Sequence, residues 1–212
     1  MTTSKIEIYR YSQYALWLGF FTIFYNLLEG LVSIFFAVQG EALTLFGFGI
    51  DSFIEILSGA GIVVMLLRIR HNPDSSSTSF EHGALIVTGI SFFLLSGGLL
   101  VTAIYNLVSG HKPETTLPGV IISLFSIAFM WALVAGKRKV GLALDSMPIL
   151  ADADCSLICI YMSLVLLAAS LIYKVTGLVL IDSIGAFGLI YFSFREARES
   201  FERARLTGLK DE

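Results

Sequence analysis

Charge is what this sequence has least of: 15% of its 212 residues are Asp, Glu, Lys or Arg, while 56% are apolar. A water-soluble domain of this length needs more polar surface than that composition supplies, so a soluble globule is excluded. Cysteine occurs only at positions 155 and 159, inside one apolar run, which excludes a secreted disulfide framework. Three histidines all fall at loops or ends of apolar segments, where they read as ordinary solvated side chains. No histidine is thus available as a base beside Cys or Ser within an apolar segment, and neither cysteine has a basic neighbour in sequence. An intramembrane hydrolase is therefore not expected, nor any other enzyme. The net charge of −3 gives no reason to expect nucleic acid as a partner. The first ten residues carry Lys5, Glu7 and Arg10 with no small-residue cleavage site after them, so no removable leader is expected.

What the chain does have is long apolar runs, with 17 Phe and 19 Gly among them. A span needs about 20 mainly apolar residues to cross a hydrocarbon core ~30 Å thick. Six segments qualify, at approximately 14–38, 43–67, 84–108, 117–135, 148–173 and 177–194. They predict an all-α membrane protein, a single transmembrane domain over 1–212 with a short cytoplasmic helical tail at 195–212. The breaks are read as a turn at 39–41, a polar loop at 68–82, a short loop at 110–116, a basic loop at 137–145 and a turn at 174–176. Pro73 and Pro113 fall in loops, whereas Pro148 suits the first turn of the fifth helix, where its missing N–H costs nothing. With both termini inside, twelve Lys/Arg residues lie on the inner side and only Lys112 and Lys174 outside. That segregation sets the expected orientation and requires an even number of spans.

Ionisable groups inside a span are costly and mark function by default. Glu29, Asp51, Glu55, Asp152, Asp154 and Asp182 all fall within predicted spans, and no Lys or Arg does. Acids without basic partners must hold either protons or a metal cation. Asp51 and Glu55, four residues apart, share one face of the second helix; Asp152, Cys155 and Cys159 share one face of the fifth. Asp154 points about 200° from Asp152 and belongs to another surface. Glu55 and Cys159 each lie about 18 Å from the inner end of their helices, so the two groups meet at one depth. Carboxylates and thiols together suit Zn²⁺ best and admit Cd²⁺ and other soft ions, while Mg²⁺ and Ca²⁺ prefer oxygen alone. Asp152 also reads as an interfacial residue and either cysteine as a packing residue. Asn26, Glu29 and Asp182 either support the site, carry protons or tie helices together. The glycines at 47–49, 59–61, 97–98 and 185/188 are expected to permit close helix packing.

Three stretches resemble the cation diffusion facilitator family. The first runs from Asn26-Leu-Leu-Glu29-Gly30 through Gly40-Glu-Ala-Leu43 to Asp51-Ser-Phe-Ile-Glu55. It is similar to the family's first two helices, where an acid or His is followed four residues later by an acid. The second, Ala151-Asp-Ala-Asp-Cys155-Ser-Leu-Ile-Cys159, stands where the family has an Ala-Asp-Ala lead-in and a His-x-x-x-Asp pair. The third, Asp182-Ser-Ile-Gly-Ala, resembles an Asp-Pro-Ile-Ala pattern of the sixth helix. The resemblance implies a homodimeric efflux transporter for Zn²⁺ (or Cd²⁺, Fe²⁺, Mn²⁺ or Co²⁺), working by alternating access with inward proton flow and carrying no prosthetic group. It assigns Asp51 and Glu55 as the second-helix ligand pair. Cys155 and Cys159 replace His and Asp on the fifth helix, which leaves open whether they or Asp152 complete the site. It further implies a minimal branch without the family's cytoplasmic C-terminal domain, dimerising through membrane helices. The expected location is the cell membrane, multi-pass, as in a bacterial inner membrane. The competing reading is a membrane partner that binds metal or assembles with other proteins without transporting.

Overall fold

The computed structural model describes residues 5–40, 42–71, 78–109, 117–178 and 180–208. Among them the chain is built of helices: α1 (Lys5–Gly40), α2 (Leu43–His71), α3 (Thr78–Ser109), α4 (Leu117–Ala143), α5 (Met147–Thr176) and α6 (Leu180–Gly208). All run beyond the apolar segments in at least one direction, because hydropathy marks the part of a helix that can sit in lipid and not the helix itself. Among the described residues five helices, α1 to α5, are long and apolar enough to cross a membrane. In α6 the uncharged stretch runs only from residue 183 to 194, between Asp182 and Arg195, about 18 Å at 1.5 Å per residue, and Arg195 begins the charged half.

The expected basic loop at 137–145 is instead the last turns of α4. Lys and Arg are good helix formers, and nothing before Ala143 breaks the backbone ladder. The helix closes with Asp145 in the left-handed region (φ 49°) and the Ser146 N–H bonded to the Gly141 carbonyl at 2.9 Å. That 6→1 closure is usually made with glycine; Asp tolerates the conformation better than most residues. The predicted loop at 68–82 is also largely helix, since α2 continues to His71 and α3 begins at Thr78. The turn expected at 174–176 belongs to α5, which ends on Gly177 (φ 65°) with its N–H on the Tyr173 carbonyl at 2.7 Å. The 110–116 loop lies outside the described residues, as does Glu41.

Helices α1 and α2, α4 and α5, and α3 and α6 form close pairs, and α2 also touches α3, α5 and α6. Half or more of the apolar windows of α2 and α5 is buried, against about a third in α1, α3 and α4. These two helices are therefore the interior of the bundle, and side chains such as Trp17, Phe24, Leu94, Val101 and Trp131 cover its outside. Glycine sets the α1–α2 approach: a Cβ at Gly30 would stand 2.8 Å from the Phe53 ring, and one at Gly49 2.8 Å from Ile34. At Gly97 and Gly98, by contrast, a Cβ would meet nothing within 4 Å among the described residues, so the expected close approach is not seen there.

Asp182, at the start of α6, caps α2. Its carboxylate accepts the N–H groups of Leu43 (2.9 Å) and Thr44 (3.2 Å), and the Thr44 hydroxyl donates to the Asp182 carbonyl at 2.8 Å. Two orphan donors of a helix N-terminus are satisfied from a distant helix. Asp182→Ala should therefore destabilise the protein by about 1 kcal/mol, and Asp182→Asn by less; thermal unfolding in detergent measures both.

Candidate functional site

The buried faces of α2 and α5 meet through polar side chains. Asp51 and Glu55 are both buried and both reach α5. The Cys159 thiol donates to Asp51 Oδ2 at 2.8 Å, and the Ser156 hydroxyl donates to Glu55 Oε1. One turn nearer the start of α5, Asp152 accepts the Ser58 hydroxyl on Oδ1 at 2.7 Å. The Asp51/Glu55 pair and residues 152–159 are thus brought to one place, through Cys159 and Asp152 of the i, i+3, i+7 set and through Ser156 and Ser58, which lie outside it. Asp154 points elsewhere: it is half-exposed and pairs with Arg138 and Arg203, each at 3.3 Å, joining the end of α4, the start of α5 and the end of α6. Such pairs, open to water on one side, are worth under about 1 kcal/mol each.

The expectation that these acids have no basic partner is corrected by Lys137 of α4. Its side chain is 2% exposed; Nζ lies 2.9 Å from Asp152 Oδ2 and 3.8 Å from Glu55 Oε1, and it donates to Ser156 Oγ at 2.7 Å. Three helices therefore contribute to one buried network of two carboxylates, a hydroxyl and an ammonium. The continuation of α4 past residue 135 makes this arrangement, for it keeps Lys137 in register with the buried stripe Ser123, Ser126, Met130, Leu133 and Val140. Arg138 and Lys139 fall off that stripe and face outward.

The two cysteines do not share one environment. Cys159 bonds to Asp51, whereas Cys155 borders a cavity of about 60 Å³ together with Ser58, Asp152, Glu196, Ser200 and Arg203. Glu196 is buried there, and its Oε2 has no hydrogen-bond partner among the described residues. This residue stands beyond the predicted sixth span. Burial, with Arg203 acting in the opposite sense, leaves its carboxyl pushed up to about 7. Glu55 Oε2 and Asn26 Oδ1 are likewise buried and without a hydrogen-bond partner among the described residues, so two oxygens on the α1 and α2 side have lone pairs to offer. Glu29 is spoken for: Tyr25 donates to one oxygen at 2.7 Å and Ser52 to the other at 3.0 Å. Asp182 serves α2 as a cap, about 12 Å along the helix axis from Asp51.

Among the described residues, no three His, Cys, Asp or Glu side chains stand close enough together to enclose an ion as they are placed. His71 is exposed at the end of α2, His82 lies near the start of α3, and His111 is outside the described residues. Lys137 and Glu196 were the residues that sequence reasoning missed. Extending the seven-residue stripe of α4 by one more turn would have found the lysine. The glutamate sits among Arg195, Arg198 and Glu199 and reads there as one more solvated charge.

The profile of the family described as "Cation efflux transmembrane domain" matches residues 19–206 of this chain. The chain is also 27% identical over 191 residues to Transmembrane protein 163 of Xenopus laevis, an alignment covering 89% of this chain and 67% of that protein.

Proposed function

Since the chain belongs to the cation efflux family, the cation diffusion facilitators, we propose that it carries Zn²⁺ or a similar divalent cation out of the cytosol through the α2–α5 seam. The observation that supports this most is the contact of Cys159 with Asp51, one turn from that of Ser156 with Glu55, which sets one α2 carboxylate against an α5 thiol and the next against an α5 hydroxyl deep in the bundle. In this reading Asp51, Glu55 and Cys159 form the core of the ligand set, and Glu55 Oε2 and Asn26 Oδ1 supply free oxygens. Cys155 and Asp152 lie on the approach from the cavity. Two carboxylates and a thiolate with one further donor match Zn²⁺ and extend to softer ions. Side chains must move to close around the ion, which suits a carrier that binds on one side and releases on the other.

Transport in this scheme is alternating access with inward proton flow. Ligands bind a metal only when deprotonated, so protonation of Asp51 or Glu55 on the far side favours release, and affinity falls as pH falls. Helix α6 completes a sixth crossing, its short apolar half extended by Arg195 snorkelling to the interface. Both termini then lie on the cytoplasmic side of the cell membrane, and two copies pair through membrane helices.

A flux assay tests the transport step. Proteoliposomes holding the purified chain should accumulate Zn²⁺ against a pH gradient faster than empty liposomes. Tight binding with no flux would favour a metal-binding or assembly protein instead. Cys159→Ser keeps a donor for Asp51 but removes the soft ligand; it should lower Cd²⁺ flux relative to Zn²⁺ several-fold, while Cys155→Ser changes that ratio less. Equal ratios in both variants would place the thiols outside the coordination shell.

A further inference from the structure

A buried ammonium ringed by oxygens has the ligand field of a bound cation. Lys137 Nζ has three protons to donate, and three oxygens stand about it: Asp152 Oδ2 at 2.9 Å, Ser156 Oγ at 2.7 Å and Glu55 Oε1 at 3.8 Å. Two of these oxygens belong to carboxylates that a divalent ion passing between the cavity and Asp51 would meet. The side chain reaches them from α4, a helix that contributes no carboxylate to the network. Its stem is four methylenes long, so the head can withdraw without moving the backbone.

We propose that Lys137 is a tethered cation that competes with the transported ion for Glu55 and Asp152, so that loading the site means displacing its ammonium from between them. This inference rests on the α2–α5 transport reading above. The competitor is intramolecular, so its effective concentration is set by its own tether and not by the ions in bulk solution. A monovalent ion gains no charge by replacing it, whereas a divalent ion does. Lys137 is in this sense a specificity-determining residue, filtering by charge. It also keeps Glu55 and Asp152 compensated while the carrier returns without cargo.

The apparent affinity of a site that is available only part of the time is its intrinsic affinity reduced by the available fraction. If the ammonium is seated in about nine molecules of ten, Lys137→Gln should tighten divalent binding about tenfold while slowing turnover. Equilibrium dialysis of Zn²⁺ on the full chain in lipid nanodiscs reads the affinity, and K137R, which keeps the competing charge, should stay near wild type. A folded K137Q that binds Zn²⁺ no tighter than wild type overturns the proposal; so does a K137R that tightens as much as K137Q. A lysine with a merely structural role would weaken binding or leave it unchanged when replaced. Where K137Q does not fold, the charge-matched K137Q/D152N takes its place. It should bind Zn²⁺ at least as tightly as wild type despite losing a carboxylate, and weaker binding overturns the proposal. Wild-type protein that binds no Zn²⁺ would instead sink the transport reading itself.

Discussion

Asp51→Asn should abolish metal transport and leave the protein folded. Asparagine keeps the shape of the side chain, and its carbonyl oxygen can still accept the Cys159 thiol now 2.8 Å from Oδ2. What it removes is the charge, in a place where Asp51 is buried and has no basic group bonded to it among the described residues. Even residues that merely orient metal ligands cost 10- to 100-fold on substitution. Losing a proposed ligand outright should therefore reduce Zn²⁺ flux by about 100-fold or more. Thermal unfolding should shift little, because one uncharged acceptor replaces a buried charge. Near-normal flux in a folded D51N protein would remove Asp51 from the transport path.

Asp152→Asn should behave in the opposite way, acting first on stability. Its carboxylate is the close counter-ion of Lys137, at 2.9 Å, and the remaining carboxylate, Glu55, stands at 3.8 Å. Removing one partner of a buried pair strands the other, at a typical cost of about 3–5 kcal/mol. The Ser58 bond can survive, since Asn also offers an acceptor. Replacing both partners, as in D152N/K137M, should recover most of the loss, because a buried pair exchanged for uncharged groups is often neutral. Denaturant titration in detergent of the single and double variants checks this. A double variant as unstable as D152N would mean that Asp152 stabilises through something other than the lysine.

The contrast between these two acids shows what the amino-acid sequence revealed and where it stopped. The facing of Asp51, Glu55 and the 152–159 stretch, and the outward turn of Asp154, follow from 3.6-residue periodicity, which α2 and α5 obey because both are uninterrupted helices. The partners were harder to read. Lys137 looked like the start of a loop because hydropathy falls there, yet a helix does not end where its apolar residues end, and α4 carries the lysine in on its buried stripe. Asp182 looked like one more intramembrane acid, whereas it caps a helix that begins 139 residues earlier. Such a pairing is invisible until the bundle closes. Gly97 and Gly98 fit the small-residue pattern of helix contacts, but a Cβ at either would meet nothing within 4 Å among the described residues. Glu196 lay in a run of charges whose local pattern is that of a solvated helix, and burial singled it out.

Metal binding at the α2–α5 seam can be measured by equilibrium dialysis of Zn²⁺ against the wild-type chain and an Asp51→Asn/Glu55→Gln double variant, both in nanodiscs. The wild type should bind one ion per chain with an affinity that weakens on acidification, and the double variant should bind none at the same concentrations. Equal, saturable binding by the folded double variant would contradict the assignment of these two carboxylates as the site where the ion is held.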